Sequence, residues 1–164
     1  MAKLGVISDI HGNLANLEKV LRYITSHKID YLICTGDVCD IDAWQKIDDL
    51  KIPSWAVHGN ADNYGLDLSA LKNIKVFEKF GEITLADRKI IFCHYPEVVK
   101  KFIADNPNKY QLALHGHSHI PWEENYQGTK IINPGNVANV RYAPTFAIID
   151  LDTLKAQLIL INDL

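Results

Sequence analysis

Short apolar runs that stop on Asp, Asn and His are the feature that most limits what this chain can fold into. "KLGVI" (3–7) runs into Ser8, Asp9 and His11, and "YLICT" (31–35) into Gly36 and Asp37. "SWAV" (54–57) leads to His58, Gly59 and Asn60, "KIIFC" (89–93) to His94, and "YQLAL" (110–114) to His115, His117 and His119. Runs of about four to six residues rich in Val, Ile, Leu and aromatics read as buried strands. In open α/β sheets, ligands bind beyond the carboxyl ends of the strands. One ligand-type residue at a strand end is ordinary, whereas the same placement on all five runs predicts a shared site.

Helical periodicity fills some of the gaps. Leu14, Leu17, Leu21 and Ile24 recur at spacings of three and four, which predicts a helix over 14–26 with Asn13 as its N-cap. Ile41, Trp44, Ile47 and Leu50 do the same over 41–50 behind Asp40, and Pro96 opens a third helix over 96–104. Strand and helix therefore alternate at first, the pattern of a parallel sheet with helices on its faces. Later the pattern turns to hairpins: "GEITL" and "KIIFC" flank "ADR", "WEENY" and "KIIN" flank "QGT", and "TFAIID" and "AQLILI" flank "LDTLK". The sum is a mixed α/β protein, two packed sheets with helices outside. Its 164 residues suit a single domain over 1–164, with no internal repeat or linker.

Composition removes several classes. With 48% apolar and 23% charged residues the balance is that of an ordinary globular domain. No apolar run nears the roughly 18 residues that span a membrane. The opening "MAKLGVISDI" is too short for a signal peptide and lacks a small-residue cleavage site. A net charge of −3 without a basic run speaks against nucleic acid as a partner. Cys34, Cys39 and Cys93 are an odd number without paired spacing, so a reducing cytoplasm is expected rather than a disulfide framework.

The residue types at the strand ends suit two divalent ions. One carboxylate has to be shared, and Asp37, after the tight Gly36 turn, is the natural bridge. Imidazole and carboxylate donors fit Mn, Fe, Zn, Ni or Co, with Mn favoured. Two ions about 3.5–4 Å apart clamp the attacking and leaving oxygens of a phosphoryl displacement and lower the pKa of a shared water. Against the two charges of Asp9 and Asp37, two divalent ions and a bridging hydroxide leave about one positive charge, which favours an anionic substrate.

In chain order, "DIH" (9–11), "GDVCD" (36–40), "GNAD" (59–62), "CH" (93–94) and "GHSH" (116–119) resemble the motifs of the calcineurin-like metallophosphoesterases. Those motifs are roughly D-x-H, G-D-x-x-D, G-N-H-D/E, H and G-H-x-H. "NPGNV" with Arg141 resembles a further element, N-P-G-S with a following P-R. Each motif alone is weak, but all five in order make a specific match over nearly the whole chain. The resemblance implies a four-layer α/β/β/α sandwich of two mixed sheets flanked by helices. It implies that Asp9, His11, Asp37 and His119 hold one metal, and Asp37, Asn60, His94 and His117 the other. The short chain and its "SDIHGNLANL" opening are most similar to the small bacterial and archaeal phosphodiesterases of the family.

The expected function is therefore a dinuclear metal-dependent phosphoesterase, a phosphodiesterase before a monoesterase, acting on small phosphate esters. A metal-bridging hydroxide attacks phosphorus in line, with Asn60, His117 and Asp62 taking part in catalysis and His58 and Arg141 near the substrate. Two other readings compete. One is a non-catalytic scaffold, as in the retromer subunit of the same fold, although all seven ligand positions are intact here. The other is a nuclease, which the short chain and the missing basic patch disfavour. A homo-oligomer is compatible with the sequence.

Several positions depart from the family pattern. Ala61 stands where many members carry a His proposed to protonate the leaving group, so activated aryl leaving groups should react best. Asp62 thereby loses its usual partner, Tyr95 follows His94 where Gly is common, and Asn136 and Val140 replace Ser and Pro. The remaining candidates read first as structural. His115 supports its strand, His27 ends a helix, and Asp40 caps one or supports the ligands. Cys39 and Cys93 read as inert thiols.

Overall fold

The computed structural model describes residues 2–164. In chain order the first half comprises β1 (Lys3–Ile7), α1 (Leu14–Ser26), β2 (Tyr31–Cys34), α2 (Ile41–Asp48), β3 (Ser54–Val57), β4 (Ile74–Phe77) and β5 (Phe80–Leu85). Then follow β6 (Arg88–Cys93), α3 (Pro96–Asp105), β7 (Leu112–Leu114), β8 (Trp122–Tyr126), β9 (Thr129–Asn133), β10 (Thr145–Asp150) and β11 (Ala156–Leu160). A single 3₁₀ turn, Ile161–Asp163, follows β11.

The strands form two mixed sheets, in the orders β11-β10-β1-β2-β3-β4 and β5-β6-β7-β9-β8. β1 to β4 are parallel, with β10 antiparallel to β1. In the second sheet β6, β7 and β9 are parallel and the two edge strands antiparallel. Side-chain alternation divides the core three ways. Ile7, Leu32 and Cys34 face α1 and α2, where Leu17, Ile24, Trp44 and Ile47 meet them. Leu4, Val6 and Ile33 face the other sheet and pack on Ile90, Phe92 and Leu114. Ile91, Cys93 and Ala113 face outward beneath Val99 and Ile103 of α3. Strands covered on both faces read as continuous apolar runs, which is why they were legible. The result is four layers: helices, sheet, sheet, helix.

Register explains why the ligand residues meet. Ile7 pairs with Cys34 and Cys34 with Ala56, so β1, β2 and β3 end level. Phe92 pairs with Leu114, so β6 and β7 do too.

Both predicted caps are present: Asn13 accepts from the Asn16 N–H and Asp40 from the Asp42 N–H. Two elements differ from expectation. α2 ends at Asp48 rather than at residue 50, because Lys51 turns left-handed (φ 57°) to enter β3. β4 was not anticipated; its four residues carry an exposed Lys75, and β3 supplies its pairing. All three cysteines are free. Among the described residues no helix is long and apolar enough to cross a membrane.

Candidate metal centre

The ligand-type residues leave their strands through left-handed turns. Asp9 (φ 53°), His11 (46°), Asp37 (55°), His117 (67°) and His119 (61°) all occupy this region. Asp and His tolerate it better than most residues, at about 1–2 kcal/mol each. Main-chain bonds fix the turns to one another: the Asp9 N–H donates to Gly36 O (3.0 Å), and the Ile10 and His11 N–H groups to Asp37 O (2.9 Å each). Two glycines permit the close approach. A Cβ at Gly59 would strike the Asp37 carboxylate, and one at Gly116 would strike Ser8 Oγ and Asp9.

Each carboxylate then has one oxygen engaged and one turned to the site. Asp9 Oδ2 accepts from Ser8 Oγ (2.6 Å) and the His117 N–H (3.1 Å). Asp9 Oδ1 is buried without a hydrogen-bond partner, 3.2 Å from His119 Nε2 and 3.9 Å from His11 Nε2. Asp37 Oδ1 accepts from the Ala61 N–H (2.8 Å), while Oδ2 lies 3.6 Å from His11 Nε2 and 3.4 Å from His94 Nε2. Around His94, Asn60 Oδ1 is 3.1 Å from Nε2, and His117 Nδ1 lies 2.9 Å from Asn60 Oδ1 and 3.3 Å from His94 Nε2. His94 Nδ1 donates to Thr35 O (2.8 Å) and His119 Nδ1 to Val140 O (3.3 Å), which turns Nε2 of each ring toward the centre. Asp9, Asp37 and Asn60 follow strands of the first sheet, and His94, His117 and His119 follow strands of the second.

Residues 2–154 match the sequence model of the calcineurin-like phosphoesterase superfamily domain. The chain belongs to that superfamily. A phosphodiesterase of Methanocaldococcus jannaschii is 24% identical over 92% of this chain and 93% of its own. A solved archaeal phosphodiesterase shares the fold at a TM-score of 0.86 with 22% identity, covering 96% of this chain and 99% of its own. Vacuolar protein sorting 29 from Cryptosporidium parvum shares it at 0.73 with 18% identity, over 96% and 95%. Membership of this family supports metal-dependent phosphoester chemistry for the domain.

The donor set fits metal ions. Asp9, His11 and His119 offer atoms within 4.8 Å of one another, as do Asp9, Asp37 and His94. The orphaned Asp9 oxygen, and two imidazole nitrogens (His11 and His119 Nε2) facing each other at 3.3 Å, each gain a partner when a cation sits between them. Burial pushes the Asp9 carboxyl above its ordinary value against the pull of Ser8, His94 and His119. Burial also opposes ionisation of Asp37, but the hydrogen bond and charge of His94 outweigh it and hold that carboxyl low. Burial depresses His94, and Asp37 more than restores it, so the ring is held above its usual range.

The other predicted residues separate. Arg141 lines a cleft of about 250 Å³ with His11, Asp37, Asn60, His117 and His119. His58 does not line it: its ring lies between Trp44 (5.8 Å) and Tyr64 (4.8 Å), with Nδ1 4.0 Å from Asp62. Asp62 is buried and accepts from the N–H groups of Asp37 (2.8 Å), Cys39 (2.7 Å) and Gly59 (2.8 Å). It therefore acts on the ligands through the main chain. Ala61 contributes its N–H to Asp37 and no polar side chain. His115 is buried, its pKa lowered chiefly by burial, and His27 stacks on Tyr23 at the end of α1. Sequence reasoning missed the Ser8 hydroxyl on Asp9; a serine directly before the first ligand was the only signal.

Proposed function

We propose that the protein is a dinuclear metal-dependent phosphodiesterase. The observation that carries this reading is Asp37 Oδ2, one carboxylate oxygen within 3.6 Å of a nitrogen from each of two ligand sets. Asp9, His11, Asp37 and His119 would hold one ion, and Asp37, Asn60, His94 and His117 the other. Bound there, two divalent ions supply an activated water near neutral pH and stabilise charge developing on the phosphoryl oxygens. Mixed imidazole and carboxylate donors suit first-row metals without selecting strongly among them, and Mn is the ion we favour for the first test. The guanidinium of Arg141 on the cleft wall attracts the phosphate anion and orients it.

Ser118 is the one hydroxyl among the cleft residues, and it already accepts from Asn133 Nδ2 (2.9 Å). With alanine at 61, the side chain directly after Asn60 cannot protonate a leaving group. Esters with acidic alcohols are therefore the better substrates. The diester preference is supported by the phosphodiesterases among the relatives, and a cytoplasmic location by the three free thiols.

The test is hydrolysis of bis-p-nitrophenyl phosphate against p-nitrophenyl phosphate with Mn²⁺, Ni²⁺ or EDTA, for wild type and His117→Ala. Diester turnover that EDTA and the substitution both abolish is expected. No turnover of either ester by metal-loaded protein would reject the enzyme reading in favour of a binding scaffold.

A further inference from the structure

The cleft has unlike walls. On one side Val140 and Arg141 join the ligands, and Arg141 brings a cation. Behind the lining residues Asn60 and His117, outside the cleft itself, the chain offers rings. Tyr95, directly after His94, stands edge-on to two imidazoles, 4.8 Å from His117 at 61° and 5.1 Å from His94 at 78°. Tyr64 packs 4.8 Å from the His58 ring and donates its hydroxyl to Gly59 O, the carbonyl just before Asn60, at 3.5 Å. Tyr95 packs on His117, and Tyr64 is tied to the carbonyl before Asn60, so each ring stands next to one of the two lining residues on this side. Ala61, directly after Asn60, is exposed and presents only a methyl group.

Tyr64 is held at its hydroxyl and along its ring, yet 59% of its surface remains exposed. A tyrosine anchored in this way has already lost its rotamer freedom and keeps surface free for stacking. Within the segment 59–64 the one charged residue, Asp62, is buried. A phosphate between the ligands and Arg141 would point one of its substituents here.

Taking the phosphodiesterase reading as its basis, we propose that Tyr64, Ala61 and Tyr95 form a subsite for one ester substituent of the substrate. That substituent is a planar aromatic ring, either an aryl group or a nucleobase. Tyr64 and Tyr95 are then specificity-determining residues, setting which ester binds.

Calorimetric titration of Mn-loaded protein with phenyl phosphate and with methyl phosphate isolates the subsite, because the two ligands differ only in the substituent. Phenyl phosphate is expected to bind about tenfold more tightly. In Tyr64→Ala and, separately, Tyr95→Leu, that ratio should fall to about threefold or less. Taking a ratio within each variant cancels any change in the metal ligands themselves. A wild-type ratio near one, or a ratio that neither substitution moves, overturns the proposal. Adenosine 5′-monophosphate against ribose 5-phosphate separates the two sources: a gain of the same size there identifies a nucleobase, and a gain for phenyl phosphate alone an aryl ester. Diester turnover with an unmoved ratio sinks the subsite and leaves the activity standing. Absence of turnover, with neither phosphate bound, sinks both.

Discussion

Two buried aspartates in this protein do the same physical work in different places. Asp62 accepts three backbone N–H groups, from Asp37, Cys39 and Gly59. Asp48, at the end of α2, also accepts three, from Lys72 (2.9 Å), Asn73 (2.6 Å) and Ile74 (3.0 Å). The difference lies in what is held. Asp48 fastens a connecting segment and the start of edge strand β4, whose donor residues have ordinary backbone. Asp62 fastens Asp37 (φ 55°) and Cys39 (φ 71°), both left-handed. One clamp keeps a loop down; the other keeps the proposed metal ligand Asp37 in a conformation that the backbone resists.

The largest effect should come from Asp62→Ala. Loss of support for a ligand is expected to lower kcat/KM by about 10- to 100-fold. Leaving buried N–H groups without acceptors should also remove on the order of 3 kcal/mol of stability. Asp48→Ala should match that stability loss, again on the order of 3 kcal/mol by urea unfolding, while kcat/KM of the folded protein stays within about twofold. Equal loss of activity in both variants would erase the distinction between the clamps.

Acid comes next. Burial opposes ionisation of Asp48, but its backbone donors prevail and hold the carboxyl below its ordinary value. A carboxyl with a lowered folded pKa contributes stability that is complete above its unfolded value, about pH 4, and lost as pH falls through the folded one. Urea midpoints measured from pH 7 to pH 3 should therefore drop more steeply for wild type than for Asp48→Asn. The smallest effect is expected from Cys39→Gly. Relief of a left-handed non-glycine residue should add about 1 kcal/mol of stability, partly offset by the greater freedom of the unfolded chain. A loss instead would show that the Asp62 clamp holds no strain at that residue.

Much of this was open to a reader of the sequence, and the reason is chemical. Strands buried on both faces must be apolar throughout, so β1, β2, β3 and β6 declared themselves, and the Asp, Asn and His residues after them stood out by type. The edge strand β4 did not, because four residues with a central lysine carry neither a run nor an alternation. The role of Asp62 was hidden as well. Its partners Asp37 and Cys39 lie 25 and 23 positions away, and main-chain donors have no signature in side-chain identity. His58 differs for the opposite reason: it follows such a strand, but its ring packs between Trp44 and Tyr64 and does not line the cleft.

The proposed ligands come from both sheets, three following strands of each and His11 from the loop after β1. Those layers face each other mainly through side chains such as Val6, Ile33, Phe92 and Leu114. A cation captured at their common edge is a rivet through two plates. Because it binds only where the plates are aligned, free ion at about 100 times its Kd should add about 2.7 kcal/mol to the cost of separating them. The melting temperature thus becomes a gauge of the centre that needs no substrate, and a variant lacking Asp37 should melt at the same temperature with or without a chelator.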